Sequence, residues 1–108
     1  MLASLAVEKK ARNPRLLDVA SLLSYTSYVL VLSATSDRHA RALASHLIQE
    51  MGLKRQRALG MEGMESAQWI LLDFNDVIVH IFQEESRQYY DLDGLWNNAP
   101  NIPVDEGE

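Results

Sequence analysis

The sequence predicts an α/β fold in which helices flank a mixed β-sheet, and three patterns carry this prediction. Residues 69–82 hold two apolar runs of strand length on either side of Asn75-Asp76. That dipeptide tolerates the positive φ of a tight turn, so the stretch predicts a β-hairpin. The nearly continuous apolar run at 25–33 is typical of a central strand buried on both faces. Residues 40–51 carry the apolar spacing of one buried helix face.

Composition narrows the class of protein. A chain of 108 residues with 47% hydrophobic content is long enough for one core, so residues 1–97 are expected to form a single domain. The net charge of −5 argues against gripping nucleic acid through its phosphates and favours a basic protein partner. The absence of cysteine excludes disulfides and thiolate metal sites. We expect a soluble, cytoplasmic protein, since neither a signal-peptide pattern nor an apolar run of about 20 residues is present.

The first part of the chain predicts a helix and two strands. Residues Leu2 to Ala11 are expected to form a short helix, which Asn13-Pro14 ends because the residue before a proline avoids helical geometry. A short strand is expected around Asp18, and the long strand at 25–33 follows it.

An amphipathic helix comes next. Thr35 or Ser36 is its expected N-cap, and Gly52 stands where a left-handed C-cap would fall. The predicted buried stripe is Ala40, Leu43, Ala44, Leu47, Ile48 and Met51. Lys54 to Leu59 resembles a short basic edge strand, whose charge would discourage addition of a further strand. A strand, a helix and another strand in succession predict a right-handed parallel crossover here.

The last part of the chain predicts the hairpin, a helical region and a tail. Residues 60–68 are expected to be a flexible connection into the hairpin. Gln83 to Tyr90 is expected to be helical, and Asp91 to Trp96 to add a second turn or short helix. Residues 98–108 are expected to form a disordered acidic tail. The predicted order of elements is α-β-β-α-β-β-β-α.

The hairpin has two faces of different chemistry. With Asn75 and Asp76 as the loop, Phe74 lies opposite Val77, and the other cross-strand pairs follow by register. The face expected in the core holds Ile70, Leu72, Phe74, Val77, Val79 and Ile81. The other, which we call the mixed face, holds Trp69, Leu71, Asp73, Ile78, His80 and Phe82. Either a polar-tipped helix or a partner is expected to cover the mixed face.

The polar residues of the hairpin and helix give little support to catalysis. His39 and His46 lie seven residues apart, about 10 Å along a helix, whereas helical metal-ligand pairs stand four apart. Asp73 and Asp76 have odd spacing, so they do not form the same-face pair that two-metal phosphoryl transfer uses. We therefore expect no metal site and no cofactor. On the mixed face, His80 lies diagonal to Asp73, which allows either an acid–base dyad or a structural hydrogen bond; the second is favoured.

Both tryptophans have two interpretations. Trp69 and Trp96 could each be core residues, as aromatic residues in strands and terminal helices usually are. Trp69 shares its face with Asp73, however, and an aromatic anchor beside a charge is typical of the centre of an interface.

Several stretches together resemble the ribosomal silencing factors, the Iojap-like proteins. The hairpin and the helical region after it match over 69–73, 76–82, 84–87 and 90–96, and shorter matches stand at 17–19, 26–29 and 36–40. The similarity spans roughly Leu2 to Trp96. Three positions depart from the family pattern: Ser27 replaces an acidic residue, and Ala34 and Asn75 each replace a glycine.

The resemblance implies a fold related to the nucleotidyltransferases without their catalytic carboxylates, and a role that is not enzymatic. Family members dock on a basic large-subunit ribosomal protein, uL14, at the subunit-joining face. They block association with the small subunit and lower translation when nutrients run short. The rival hypothesis is a metal-dependent, nucleotidyltransferase-like enzyme. A direct RNA binder is disfavoured, because the chain is acidic and lacks a basic, aromatic platform.

The resemblance and the mixed face together predict a partner-binding site. Its expected residues are Trp69, Leu71, Asp73, His80, Phe82, Glu84 and Glu85. The expected partner is the large ribosomal subunit through its basic protein, with no membrane and no sequence-specific contact to nucleic acid. Both a monomer and a homodimer stay open.

Overall fold

The computed structural model describes residues 2–104, and within them helices and strands account for most of the chain. The elements, in chain order, are α1 (Leu2–Glu8), β1 (Arg12–Asp18), β2 (Tyr28–Ala34), α2 (Asp37–Leu53), β3 (Gly60–Glu62), β4 (Trp69–Asp73), β5 (Val77–Gln83), α3 (Glu84–Tyr90), α4 (Leu92–Leu95) and β6 (Asn101–Ile102). The predicted fold class, a mixed sheet flanked by helices, is confirmed.

The strands form one sheet in the order β3-β4-β5-β2-β1-β6. The central pair β2 and β5 is parallel, and every other neighbouring pair is antiparallel. The long apolar run of the sequence therefore supplies a central strand, as its composition predicts. All residues of β2 after Tyr28 are buried. Its parallel partner is β5, three elements after α2, so the crossover predicted to the strand immediately after that helix is wrong.

Each face of the sheet has its own apolar core. Leucines and alanines of α1 and α2 pack on one face against the predicted core residues of the hairpin, Ile70, Leu72, Phe74, Val79 and Ile81. The opposite core includes Leu17, Val29, Val31 and Phe82, over which Leu92, Trp96 and Ala99 pack. A helical region therefore covers part of the mixed face, which is one of the two outcomes that the sequence predicts.

The first helix and strand differ from their predicted bounds. The helix α1 ends at Glu8, and Lys10 adopts a φ of 64°. Pro14 does not terminate it but lies inside β1, whose pairing with β2 shifts register between Arg12 and Arg15. Proline fits there because a bulge leaves a backbone position outside the hydrogen-bonded ladder.

The start and the buried stripe of α2 agree with the sequence. Ser36 is the N-cap, and its hydroxyl accepts a hydrogen bond from the His39 N–H at 3.0 Å. Every residue of the predicted stripe is buried except Ile48, which is half-buried at its edge.

The segment after α2 contradicts the prediction. The helix continues through Gly52 to Leu53, and the positive φ, 62°, falls at Arg55. The predicted basic strand at 54–59 is a turn and an irregular segment, and the edge strand β3 begins at Gly60. The position of β3 is therefore set by its pairing with β4, and the basic composition of 54–59 does not predict it.

The tail prediction is wrong for residues 99–102. Ala99 is buried, and β6 pairs antiparallel with β1 through Leu16 and Leu17. The Asp18 N–H also donates to the Pro100 carbonyl at 2.9 Å. These contacts cover the outer edge of β1, and Ile102 pairs there with Leu16. Residues 105–108 of the predicted tail lie outside the described residues.

Candidate protein-docking site

The hairpin has the register that its sequence predicts. Trp69 pairs with Phe82, Leu71 with His80, and Asp73 with Ile78. At the turn, the Phe74 N–H donates to the Val77 carbonyl at 2.9 Å, and Asn75 adopts a φ of 74°. The period of two along each strand therefore places the six mixed-face residues side by side.

Asp73 has a structural role in the turn. Its Oδ1 accepts a hydrogen bond from the Asn75 N–H at 2.8 Å. Such a local side-chain bond stabilises a turn that needs a positive φ. Its carboxylate lies at the end of β4, where the residue is half-buried. One side of the carboxylate is thus engaged by the turn, on a residue that still reaches the surface.

Trp69 is held in one orientation by three aromatic neighbours. Its indole Nε1 donates a hydrogen bond to Nδ1 of His80 at 3.0 Å. The ring stacks on Phe82 with centroids 5.0 Å apart and meets Tyr90 at 4.6 Å. The residue is half-buried, so part of a fixed aromatic surface faces solvent.

His80 lies beneath Trp69 and is neutral at physiological pH. It is 6% exposed, and burial lowers its pKa from 6.5 to about 4. Because its Nδ1 accepts the indole N–H, the imidazole acts here as an acceptor. The predicted hydrogen bond between His80 and Asp73 is wrong, and with it the acid–base dyad. The indole N–H of Trp69 bonds to His80, and the backbone N–H of Asn75 bonds to Asp73.

The structure separates the seven predicted site residues into three groups. Trp69, Leu71 and Asp73 are half-buried and reach the surface of the sheet. His80 and Phe82 are buried and support that surface from below. Glu84 and Glu85 are exposed in the first turn of α3. These two glutamates border a polar cavity of about 550 Å³ at the carboxyl ends of β2 and β5.

Two tyrosines belong to the exposed surface and were missed by the sequence reasoning. Tyr90 is 50% exposed and touches the Trp69 ring, and Tyr89 is 81% exposed and packs edge-on against Tyr90 at 5.0 Å. Consecutive tyrosines at the end of a short helix were the available signal, because two adjacent helical positions cannot both face the core.

An ion pair fixes the helical region that carries these tyrosines. Arg87, 9% exposed, donates to both carboxylate oxygens of Asp93 at 3.0 Å. Its Nη1 donates to the Asn13 carbonyl and to the Ser33 hydroxyl, each at 2.8 Å. The bonds from Arg87, and then those from Arg15, lower the pKa of Asp93 although its partial burial opposes the shift. The helices α3 and α4 are thus tied to β1 and β2.

The histidines of α2 contact α1 and the residue that follows it, and not each other. The Nε2 of His39 lies 2.8 Å from the Lys9 carbonyl, and the Nε2 of His46 lies 3.4 Å from the Glu8 carboxylate. Across residues 2–104, no three His, Cys, Asp or Glu side chains come together in a way that could hold a metal ion. In the same residues no helix is long and apolar enough to cross a bilayer.

Comparison with known proteins identifies the family. The family model described as "ribosomal silencing factor during starvation" matches residues 1–108. The chain belongs to the ribosomal silencing factor family. The ribosomal silencing factor RsfS of Bacillus subtilis (strain 168) is 32% identical over 100 residues, which cover 93% of this chain and 85% of that protein.

The chain is also similar to a mammalian protein and to a solved bacterial structure. The Mus musculus protein named mitochondrial assembly of ribosomal large subunit protein 1 is 29% identical over 99 residues, 89% of this chain and 43% of that longer protein. A crystal structure of a Chromobacterium violaceum protein agrees with the fold at a TM-score of 0.85 and 32% identity, covering 99% of this chain and 91% of that one. The resemblance seen in the sequence is therefore confirmed for the ribosomal silencing factor family.

Proposed function

We propose that this chain binds a basic protein of the large ribosomal subunit, uL14, and thereby prevents the small subunit from joining. The docking surface in this proposal is Trp69, Leu71, Asp73 and Tyr90. Two observations support the proposal. The family is described as silencing factors acting during starvation, and the mouse relative is named for the large ribosomal subunit. The outcome is repression of translation in the cytoplasm under nutrient limitation.

The observation that carries the proposal is the fixed, half-exposed indole of Trp69, on the same strand face as Asp73. Its hydrogen bond to His80 and its contacts with Phe82 and Tyr90 hold it in place before any partner arrives. A partner therefore loses little conformational entropy by ordering this anchor. Aromatic anchors of this kind carry much of the free energy of protein–protein binding.

Charge complements the aromatic anchor. Asp73 offers a carboxylate at one end of the surface, and Glu84 and Glu85 add negative charge on α3 beyond the other end. In a chain of net charge −5, these groups steer a basic partner towards this side of the molecule. His80 and Phe82 act through Trp69 and make no direct contact with the partner, because both are buried.

The proposed action is occupancy of a surface, without catalysis or a cofactor. The Asp73 carboxylate, one of the two aspartates considered for two-metal chemistry, accepts a hydrogen bond from the turn. A second copy of the chain could use the same apolar surface when no ribosome is present, which is how a homodimer would fit this proposal.

Co-sedimentation tests the binding step. Purified large and small subunits are mixed separately with the chain and centrifuged through sucrose gradients. The chain is expected to travel with the large subunit alone, and Trp69→Ala is expected to weaken this binding about thirtyfold, as loss of a ~2 kcal/mol anchor does. Equal binding to both subunits, or binding that Trp69→Ala leaves unchanged, contradicts the proposal.

A further inference from the structure

The strand β3 forms an open edge of the sheet. It pairs with β4 alone, and its three residues, Gly60, Met61 and Glu62, are all exposed. An exposed edge strand is a template for pairing with another extended segment, unless charge or proline on the strand prevents it. The strand carries no lysine, arginine or proline. Its one charged residue, Glu62, pairs with Leu71 and so lies on the side of the sheet opposite Met61.

The backbone of Met61 faces away from the sheet. Antiparallel residues direct their N–H and C=O alternately to one neighbour and the other. The Phe74 N–H donates to Val77 in β5, so the backbone N–H and C=O of Leu72 also point to β5. The backbone groups of Leu71 and Asp73 point the other way, to β3. Met61 lies opposite Leu72, so its N–H and C=O point to the open side.

An apolar groove runs beside this edge. A cavity of about 510 Å³ lies between the end of α2 and β3, lined by Ile48, Gly52, Ala58 and Met61 among others. Met61, which lines it, is 51% exposed, and Leu53 and Leu59, next in sequence to the lining residues Gly52 and Ala58, are 74% and 68% exposed. Met61 shares the side of the sheet on which Leu72 packs with α2, so the groove lies opposite the proposed docking surface.

Positive charge is concentrated at the same place. Lys54, Arg55 and Arg57 fall within four positions, although the whole chain has 10 lysines and arginines and a net charge of −5. None of the three forms an ion pair with another described residue, and Arg57 lines the groove. The local charge is therefore available to an acidic ligand.

We propose that the β3 edge binds a short, extended, acidic segment of another protein. The segment adds to the sheet beside Met61, places an apolar side chain in the groove, and pairs its carboxylates with Arg55 and Arg57. An open strand edge and an apolar groove fit a polypeptide better than RNA, which is bound through phosphates and base stacking. This inference goes beyond the proposed function and does not depend on it, because the two surfaces lie on opposite sides of the sheet.

The test uses a defined probe and full-length protein. A fluorescein-labelled, end-capped octapeptide of alternating glutamate and valine is titrated by fluorescence polarisation, with the lysine–valine peptide as its counterpart. The acidic peptide is expected to bind at least tenfold more tightly. Met61→Pro removes the outward N–H without touching the bonds to β4, so it is expected to weaken binding at least tenfold.

Matched variants separate local from general effects. Arg55→Glu combined with Arg57→Glu is expected to weaken binding at least tenfold, whereas Lys9→Glu with Lys10→Glu changes the net charge equally and is expected to have less than a twofold effect. A Cβ at Gly52 meets nothing within 4 Å, so Gly52→Leu can fill the groove and is expected to block the peptide. Circular dichroism melting verifies that each variant folds; if Met61→Pro does not, the charge pair and Gly52→Leu decide.

Three results overturn the proposal. One is equal binding of the acidic and basic peptides. Another is undiminished binding by the folded Met61→Pro variant or by the arginine pair. The third is tighter binding of an oligouridylate, lost with the arginine pair, which would make this surface an RNA contact.

Discussion

The indole Nε1 of Trp69 donates to the Nδ1 of His80 at 3.0 Å, from one strand of the hairpin to the other. The donor residue is half-exposed, and the acceptor residue is 6% exposed. A buried, neutral imidazole thus sets the orientation of a surface indole. The bond requires that Nδ1 carry no proton. Protonating the imidazole therefore breaks the bond that orients the Trp69 indole.

This coupling predicts a pH-dependent stability. Burial lowers the pKa of His80 to about 4, against 6.5 for the free side chain. Between these two values the unfolded chain binds a proton that the folded chain does not. The contribution of His80 to the free energy of unfolding is therefore fully present above pH 6.5 and falls as the pH drops towards 4, by up to about 1.4 kcal/mol per pH unit. Urea denaturation at several pH values across this window measures it.

A variant of His80 provides the control for that prediction. His80→Asn keeps an acceptor near the Nδ1 position but does not titrate, and the other two histidines remain in both proteins. Its stability is expected to depend less steeply on pH in the same window. Parallel pH profiles for the two proteins would show that His80 is not buried as a neutral imidazole.

Substitutions of Asp73 are expected to reduce binding more than stability. Asp73→Asn keeps an oxygen that can accept the Asn75 N–H, whereas Asp73→Lys loses this bond and should cost about 1 kcal/mol of stability. Both variants remove the negative charge, and the lysine also repels a basic partner. Large-subunit binding is expected to fall moderately for the first and sharply for the second, measured beside the melting temperature. Unchanged binding of the lysine variant would exclude Asp73 from the interface.

Among the charged residues, Arg87 is expected to contribute most to stability. It is buried and its guanidinium bonds to Asp93, Asn13 and Ser33, a geometry that a lysine cannot reproduce. Arg87→Lys is expected to lower the free energy of unfolding by about 3 kcal/mol. Arg15→Lys, which alters the more exposed partner of the same carboxylate, should cost about 0–1 kcal/mol. Chemical denaturation of both proteins makes the comparison, and similar losses would contradict this role.

Two glycines are expected to respond in opposite ways to alanine. Gly63 has a φ of 88°, and an added Cβ would collide with the Trp69 carbonyl, so Gly63→Ala should destabilise the chain by about 2 kcal/mol or more. Gly52 lies inside α2 with open space around it. Gly52→Ala should therefore stabilise the chain by about 0.5–1 kcal/mol. Thermal melts distinguish them, and tolerance of alanine at Gly63 would refute the close approach.

The sequence predicted correctly those elements whose own residue pattern determines their structure. The hairpin register follows from alternation on both sides of Asn75, and the buried stripe of α2 from its helical spacing. The short strands β3 and β6 carry no such pattern. They form by pairing with β4 and β1, so their positions depend on the assembled sheet and not on a pattern in their own residues.

The docking surface was predictable in part for the same reason. Alternation placed Trp69, Leu71 and Asp73 together, but it did not show which polar atoms would meet. The backbone N–H of Asn75 bonds to Asp73, and the indole of Trp69 bonds to His80 across the strands. The contact between Trp69 and Tyr90 depends on how α3 folds back over the sheet, which no local pattern encodes.

Subunit joining measures the central claim most directly. Purified large and small subunits are mixed with increasing amounts of the chain, and formation of whole ribosomes is followed by light scattering. Joining is expected to fall to near zero as the chain saturates the large subunit, while Asp73→Lys at the same concentration leaves joining close to that without added protein. Undiminished joining at saturating wild-type chain, or equal inhibition by the folded Asp73→Lys variant, would contradict the account.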